Sequence, residues 1–326
     1  MKIFSLILIF FTFCLFIISS CKKDSNVKDD TGDNGGGGGT TGCTATKTNA
    51  ENIQVFPANN PWNKDISAEP VDPYNTQIIT GISSNVIKAD FGSGLWQGAP
   101  IGIPYVVVCG NQAKTPINFT DYGDESDPGP YPVPLTAPVE GNGTGDSHVI
   151  AVDIENKMLY ELFYSRVNGN HWDASSGAVF DLKTNQLRPE TWTSADAAGL
   201  PIWPGLVRYD EIAKGEIDHP IRFTLTSNNV KPAYIFPARH KVNSSGGLYT
   251  LPFGARIRLK AGFDISTYSA TNQIILRAMK KYGLILADIG SNLYISGSPD
   301  ERWNNDDLRK LGQLHGSDFE VVRFNN

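Results

Sequence analysis

Three of the chain's five histidines stand where imidazole chemistry is possible. Asp146-Ser147-His148 enters an apolar run, His219 follows Asp218, and His240 follows Arg239. Imidazoles from separate segments that meet in a cleft can hold a metal or shuttle a proton, with a carboxylate fixing the tautomer. The candidate catalytic set is therefore Asp146, His148, His219, Arg239 and His240. In a lyase, an arginine neutralises a uronate carboxylate while a histidine or tyrosine removes the adjacent proton. Arg239 with His240, or Arg222 with His219, can fill those roles. The pattern specifies no particular metal or other cofactor. His-Glu-x-x-His, Gly-x-Ser-x-Gly, Cys-x-x-Cys and the P-loop are absent. Zincin, serine-hydrolase, redox-thiol and nucleotide readings lose their usual support.

Other residues suit ligand binding. Most of the six tryptophans (62, 96, 172, 192, 203 and 303) sit beside Pro, Asn, Asp or Gly, as loop aromatics do. An aromatic ring offers a sugar face a large contact at low entropic cost, and Trp172 and Trp203, with Arg222, are the ligand-binding candidates. Asp124, Glu125 and Asp127 crowd the loop Tyr122–Pro134, but their spacing fails the EF-hand pattern, and a rigid solvated loop is the simpler reading. Glu216 and Asp218 are similar to two positions of the Glu-x-Asp-x-x-Glu strand of laminarinase-type glycosidases. Positions 221 and 222 are Ile and Arg, so the third carboxylate is missing and a turn with solvated acids is expected.

The elements that must position these groups are mostly strands. In 326 residues there are 32 glycines and 20 prolines, a balance that favours turns and short strands over long helices. Strand-like runs recur at Ile103–Cys109, His148–Ile154, Met158–Val167, Ile221–Leu225, Ala233–Phe236, Gly254–Leu259, Leu284–Ala287, Leu293–Ser296 and Phe319–Phe324. One helix is expected over Thr271–Tyr282, stopped by Gly283, and a shorter one over Asp306–Leu311. Short helical turns fit Ser194–Ala198 and Arg208–Lys214. The fold class read from this pattern is mainly β, a β-sandwich or jelly-roll-like body with a few short helices, α+β being the alternative.

The N-terminus carries an address. Lys2 and the apolar run Ile3–Ile18 make a secretory h-region, and residues 1–20 are read as a signal peptide. Ile18-Ser19-Ser20-Cys21 resembles the lipobox of bacterial lipoproteins, which implies cleavage and lipidation at Cys21. The Cys-Lys-Lys-Asp start is similar to lipoproteins of the Bacteroidetes, which implies an outer-membrane protein facing outward. Residues 21–50, rich in Gly and Thr, read as a flexible tether of about 30 Å mean span, and 51–326 as one globular domain. The tether holds four lysines and four aspartates; setting these and Lys2 aside leaves 23 basic and 30 acidic residues in the body, a net of −7. With no clustered cationic face, nucleic acid is not an expected partner. Of the two cysteines left after Cys14 and Cys21, Cys109 reads as a small core residue, with a bond to Cys43 as the less favoured alternative.

The body resembles a group of secreted bacterial proteins through Pro61–Ile66, Tyr122–Pro134, Leu159–Phe163, Ser176–Leu182, Trp192–Ile212, Asp218–Thr224, Ala238–His240 and Tyr282–Asp288. That resemblance implies a family and no mechanism. The expected function is a surface lipoprotein that binds or cleaves an extracellular polysaccharide, as hydrolase or lyase. A non-catalytic carbohydrate- or protein-binding envelope component is the alternative.

Overall fold

The computed structural model describes residues 43–324. Cys21, the signal segment and the tether up to residue 42 lie outside the described residues. The compact body begins at Cys43, earlier than the boundary at residue 51 expected from composition. Two contacts account for the difference. Cys43 is bonded to Cys109, with Cα atoms 5.9 Å apart, and the helix Lys47–Glu51 buries Ala50 completely. The reading of Cys109 as an unpaired core residue is therefore corrected; composition gave no view of where residue 43 would lie.

The body is mainly β with a few short helices, as the alternation of apolar and turn residues predicts. Its largest sheet has six strands in the order Lys88–Asp90, Tyr294–Ser296, Ile221–Leu225, Leu284–Ile289, Arg256–Leu259 and Phe319–Val321. The sheet is mixed: Ile221–Leu225 runs parallel to Leu284–Ile289 and antiparallel to Tyr294–Ser296. The helix Ala270–Lys281 supplies Ile274, Ile275, Ala278 and Met279 to the core, and Ser269 caps it by accepting from the Asn272 N–H at 3.1 Å.

A second sheet orders Ser176–Asp181, Met158–Phe163, Val149–Asp153 and Val106–Val108. Successive side chains point to opposite faces. Ile150, Val152 and Leu159 join the main core, whereas Val149, Ala151 and Leu162 join a smaller one with Trp172 and Ala174. The smaller core is completed by the three-stranded sheet of Ile117–Phe119, His171–Ala174 and Arg166–Asn168. The second sheet is thus buried on both faces. The long run predicted from Met158 to Val167 breaks at Tyr164, whose φ is +51°. Ser194–Ala198 is not a helical turn but an irregular loop, held by hydrogen bonds from both sheets.

Candidate active site

A row of polar side chains crosses one face of the main sheet. Asp90 pairs in register with Ser296, and Arg222, on the neighbouring strand, donates from Nη1 to Ser296 Oγ at 2.9 Å. On the next strand a β-bulge shifts the register, so that Arg222 lies opposite Ile285 while Thr224 lies opposite Asp288. Plain alternation from Ile285 would turn Asp288 to the other face; the extra residue turns it back towards Arg222. Arg222 Nη2 then lies 4.0 Å from Asp288 Oδ2 and also 4.0 Å from Asp196 Oδ2.

The second sheet contributes Glu161, opposite Ile150, and His148 stands immediately before the strand Val149–Asp153. Glu161 is completely buried and accepts from the backbone N–H groups of Ile202 and Trp203 at 2.8–3.0 Å. His148 hydrogen-bonds through Nδ1 to Glu140 and through Nε2 to the Ala195 carbonyl at 2.9 Å. Between the sheets runs the loop Thr193–Leu200. Asp196 Oδ1 accepts from the N–H groups of Ala198 at 2.9 Å and Leu200 at 3.1 Å, while Asp288 Oδ2 accepts from Ala197 at 3.2 Å. Arg222 Nε and Asp196 Oδ2 are buried without a hydrogen-bond partner among the described residues. Buried polar atoms are nearly always satisfied, so these two retain hydrogen-bonding capacity, as do Ser165 Oγ, Asn272 Oδ1 and a few other buried atoms elsewhere in the body.

The groups titrate in different directions. Burial pushes Asp196 up to about 8, reinforced by the Asp288 charge, although Arg222 opposes it. Burial also pushes Glu161 up to about 7. Burial alone would lower His148, but the Glu140 charge and hydrogen bond outweigh it and raise the imidazole to about 9. The same contact reverses the effect of burial on Glu140 and holds that carboxyl below its usual range, with Arg222 adding to it. Asp288 moves up, because burial outweighs Arg222 and its two backbone donors. A cluster that separates carboxyl pKa values in this way is a candidate for acid and base work.

The cluster reaches solvent at Glu140 and Asp288, whose side chains are 24% and 26% exposed, and at Asp90. The rim is a glycine-rich turn in which Gly141, Asn142, Gly143, Gly145 and Ser147 all have positive φ. Asn142 Nδ2 donates to the Gly98 carbonyl at 2.9 Å, tying this turn to the hairpin of Leu95–Trp96 and Ala99–Pro100. Gln97 and Gly98 turn the hairpin at φ +51° and +85°, and Trp96 stands 70% exposed on it.

Of the residues expected to converge, His148 and Arg222 belong to the cluster, and the exposed Asp146 on the rim adds to the electrostatic support of His148. His240 holds the far side of the same loop, through Nδ1 to the Ala197 carbonyl at 2.9 Å, and its Nε2 lies 3.7 Å from Glu125. His219 is engaged elsewhere, with Glu211 and the Pro220 carbonyl, both at 2.9 Å, and Arg239 pairs with Glu190. The expected three-histidine centre is therefore not assembled. Among the described residues the one grouping with metal-ligand geometry is Cys43, Cys109 and Glu155, and its sulfurs are already bonded to each other. Trp172 and Trp203 are fully buried and cannot act as sugar platforms; Trp96 is exposed, on the hairpin that Asn142 ties to the rim turn. Sequence reading missed Glu140, Glu161, Asp196 and Asp288. Isolated acids in apolar runs, as in LYELF and LILAD, are the signal that marks two of them. Set against protein-family models, curated proteins and solved structures, the chain matches none.

Proposed function

We propose that the body hydrolyses glycosidic bonds of a neutral extracellular polysaccharide. The observation that carries this reading is the pair Glu140 and Asp288. Both are about a quarter exposed and both feel Arg222, yet their pKa values move in opposite directions. Glycoside hydrolysis uses one carboxyl as acid and another as base or nucleophile, separated by environment. Asp288 is the acid: it gives its proton to the departing glycosidic oxygen as the bond to the anomeric carbon breaks. Glu140 serves the anomeric carbon, directly or by taking a proton from the attacking water. Asp196, Arg222 and His148 are positioning residues that set those two carboxyls.

His148 is a poor general base, because both ring nitrogens are engaged and its pKa is raised to about 9. Hydrolysis is therefore favoured over a histidine-driven lyase reaction. Asp90 and Glu140 put negative charge at the exposed edge of the cluster, which repels polyanions and suits neutral glycans. Trp96 offers the stacking surface. The lipobox-like Cys21 fits attachment to the outer membrane through lipid, with the body facing the polymer outside.

The test is release of reducing ends by the purified protein from a panel of neutral glycans. Glu140→Gln and Asp288→Asn should each lower turnover by about 10²–10⁴-fold. Unsaturated-uronate absorbance from an acidic polymer would replace hydrolase by lyase. Glycan binding without product, unaffected by either substitution, would identify a binding module instead.

A further inference from the structure

A cavity of about 380 Å³ lies apart from these carboxyls, and Pro61, Lys64, Phe236, Arg256, Arg323 and Phe324 are among its lining residues. Volumes of this order hold small ligands. Its charged lining is Lys64, Arg256 and Arg323 against Glu69 alone, a net of +2 on a body whose sum is −7. Local charge of the opposite sign to the whole molecule is a mark of ligand selection rather than of solubility.

Arg256 is the centre of this argument. It shares a strand and a face with Arg258, which donates to Glu320 Oε1 at 2.8 Å. Arg256 is only 8% exposed yet forms no ion pair among the described residues. Its donors reach carbonyls: Pro61 at 2.7 Å, and Lys64 and Tyr282 at 3.5 Å each. Burial lowers the guanidinium to about 10, as happens when a desolvated cation lacks a counter-charge. Breaking or omitting one partner of a buried pair is ordinarily destabilising, and the one acid lining this cavity, Glu69, is paired with Lys64, so the buried Arg256 is suited to a ligand's oxyanion. Arg323 likewise has no ion pair among the described residues, whereas Lys64 is held by Glu69 at 2.6 Å. The remaining wall is apolar, with Phe236 62% exposed.

We propose that this cavity binds an acidic sugar, its carboxylate or phosphate paired with Arg256 and Arg323 and its ring laid on Phe236. The guanidinium fork matches either oxyanion, and the aromatic face accepts the ring's C–H side. The site does not depend on the hydrolase reading, since none of Asp90, Glu140 and Asp288 lines it.

Calorimetric titration of the full chain with glucose, glucuronate and glucose 1-phosphate tests the proposal. At least one of the anions should bind while glucose does not, and the preferred anion distinguishes a uronate from a sugar phosphate. Arg256→Gln should weaken that binding tenfold or more and Arg323→Gln several-fold, and both effects should shrink as salt is added. Phe236→Ala should weaken the sugar anion while leaving inorganic phosphate or acetate unchanged. Glu140→Gln should alter none of this. Equal affinity for glucose, no binding of either anion, or full affinity in Arg323→Gln would overturn the proposal. Should Arg256→Gln fail to fold, the exposed Arg323 and Phe236 variants decide it.

Discussion

Two buried charge clusters in this body are built on opposite principles. Around Arg208 every guanidinium nitrogen is used: Nε meets Glu51, Nη2 meets Glu211, and Nη1 donates to the Trp203 and Leu206 carbonyls at 2.8 and 3.2 Å. Tyr105 Oη donates to Glu51 at 2.5 Å, and His219 completes the set on Glu211. Around Arg222 one nitrogen has no partner, one carboxylate oxygen has none, and two acids stand off at 4.0 Å. A saturated network holds chain segments together, and an unsaturated one that reaches solvent has capacity left for a ligand. Histidine placement alone cannot tell them apart, since His219 and His148 each contact a glutamate.

The largest expected effect comes from breaking the saturated cluster. Arg208→Met leaves Glu51 and Glu211 buried without their cation, and urea unfolding should register a loss of about 3–5 kcal/mol. An equal loss in Arg222→Met would erase the distinction between the two clusters. Next, Cys43→Ser releases the helix that carries Glu51. Opening a loop of 66 residues should cost about 2–4 kcal/mol, read by the same unfolding curves under non-reducing conditions.

A smaller, pH-dependent effect sharpens the contrast from the unsaturated side. Folded Asp196 and Glu161 keep protons, to about 8 and about 7, that the unfolded chain releases near pH 4. Protons bound only by the folded state make stability fall as pH rises across that window. His148 adds a contribution present below its unfolded value of about 6.5 and lost as pH rises through about 9. Stability should therefore decline from pH 5 to pH 8, and Asp196→Asn should flatten the decline; an unchanged slope would show that Asp196 ionises normally. Smallest of all, Trp96→Ala should move stability by less than about 0.5 kcal/mol while weakening glycan binding in affinity electrophoresis. Unaltered mobility would remove Trp96 from the site.

Much of the scaffold was legible because each strand writes its own period. Ile221–Leu225 matched residue for residue, and the helix predicted at Thr271–Tyr282 lies at Ala270–Lys281. The helical turn predicted at Arg208–Lys214 runs from Tyr209 to Lys214, with Gly215 at φ +92° closing it. Ser194–Ala198 misled, because Ser194 and Asp196 satisfy backbone groups of an irregular loop as readily as they cap a helix. The Asp146-Ser147-His148 entry led to one true member of the cluster, while Trp172 and Trp203 misled because loop-like neighbours do not report burial.

By itself the sequence determined the mainly β class, the principal strands and helix, and the expectation of an exported lipid-anchored body, since each rests on local pattern. Only the tertiary structure decided that Cys43 reaches Cys109, that His219 belongs to a clamp, and that Arg222 lies between Asp196 and Asp288 within electrostatic range of Glu140 and His148. The reason is physical. Asp288 faces Arg222 through a one-residue bulge between two strands, and Asp196 arrives on a loop hung between two sheets. Register shifts and loop paths are set by pairing and packing with distant segments, and those leave no periodic trace in the chain.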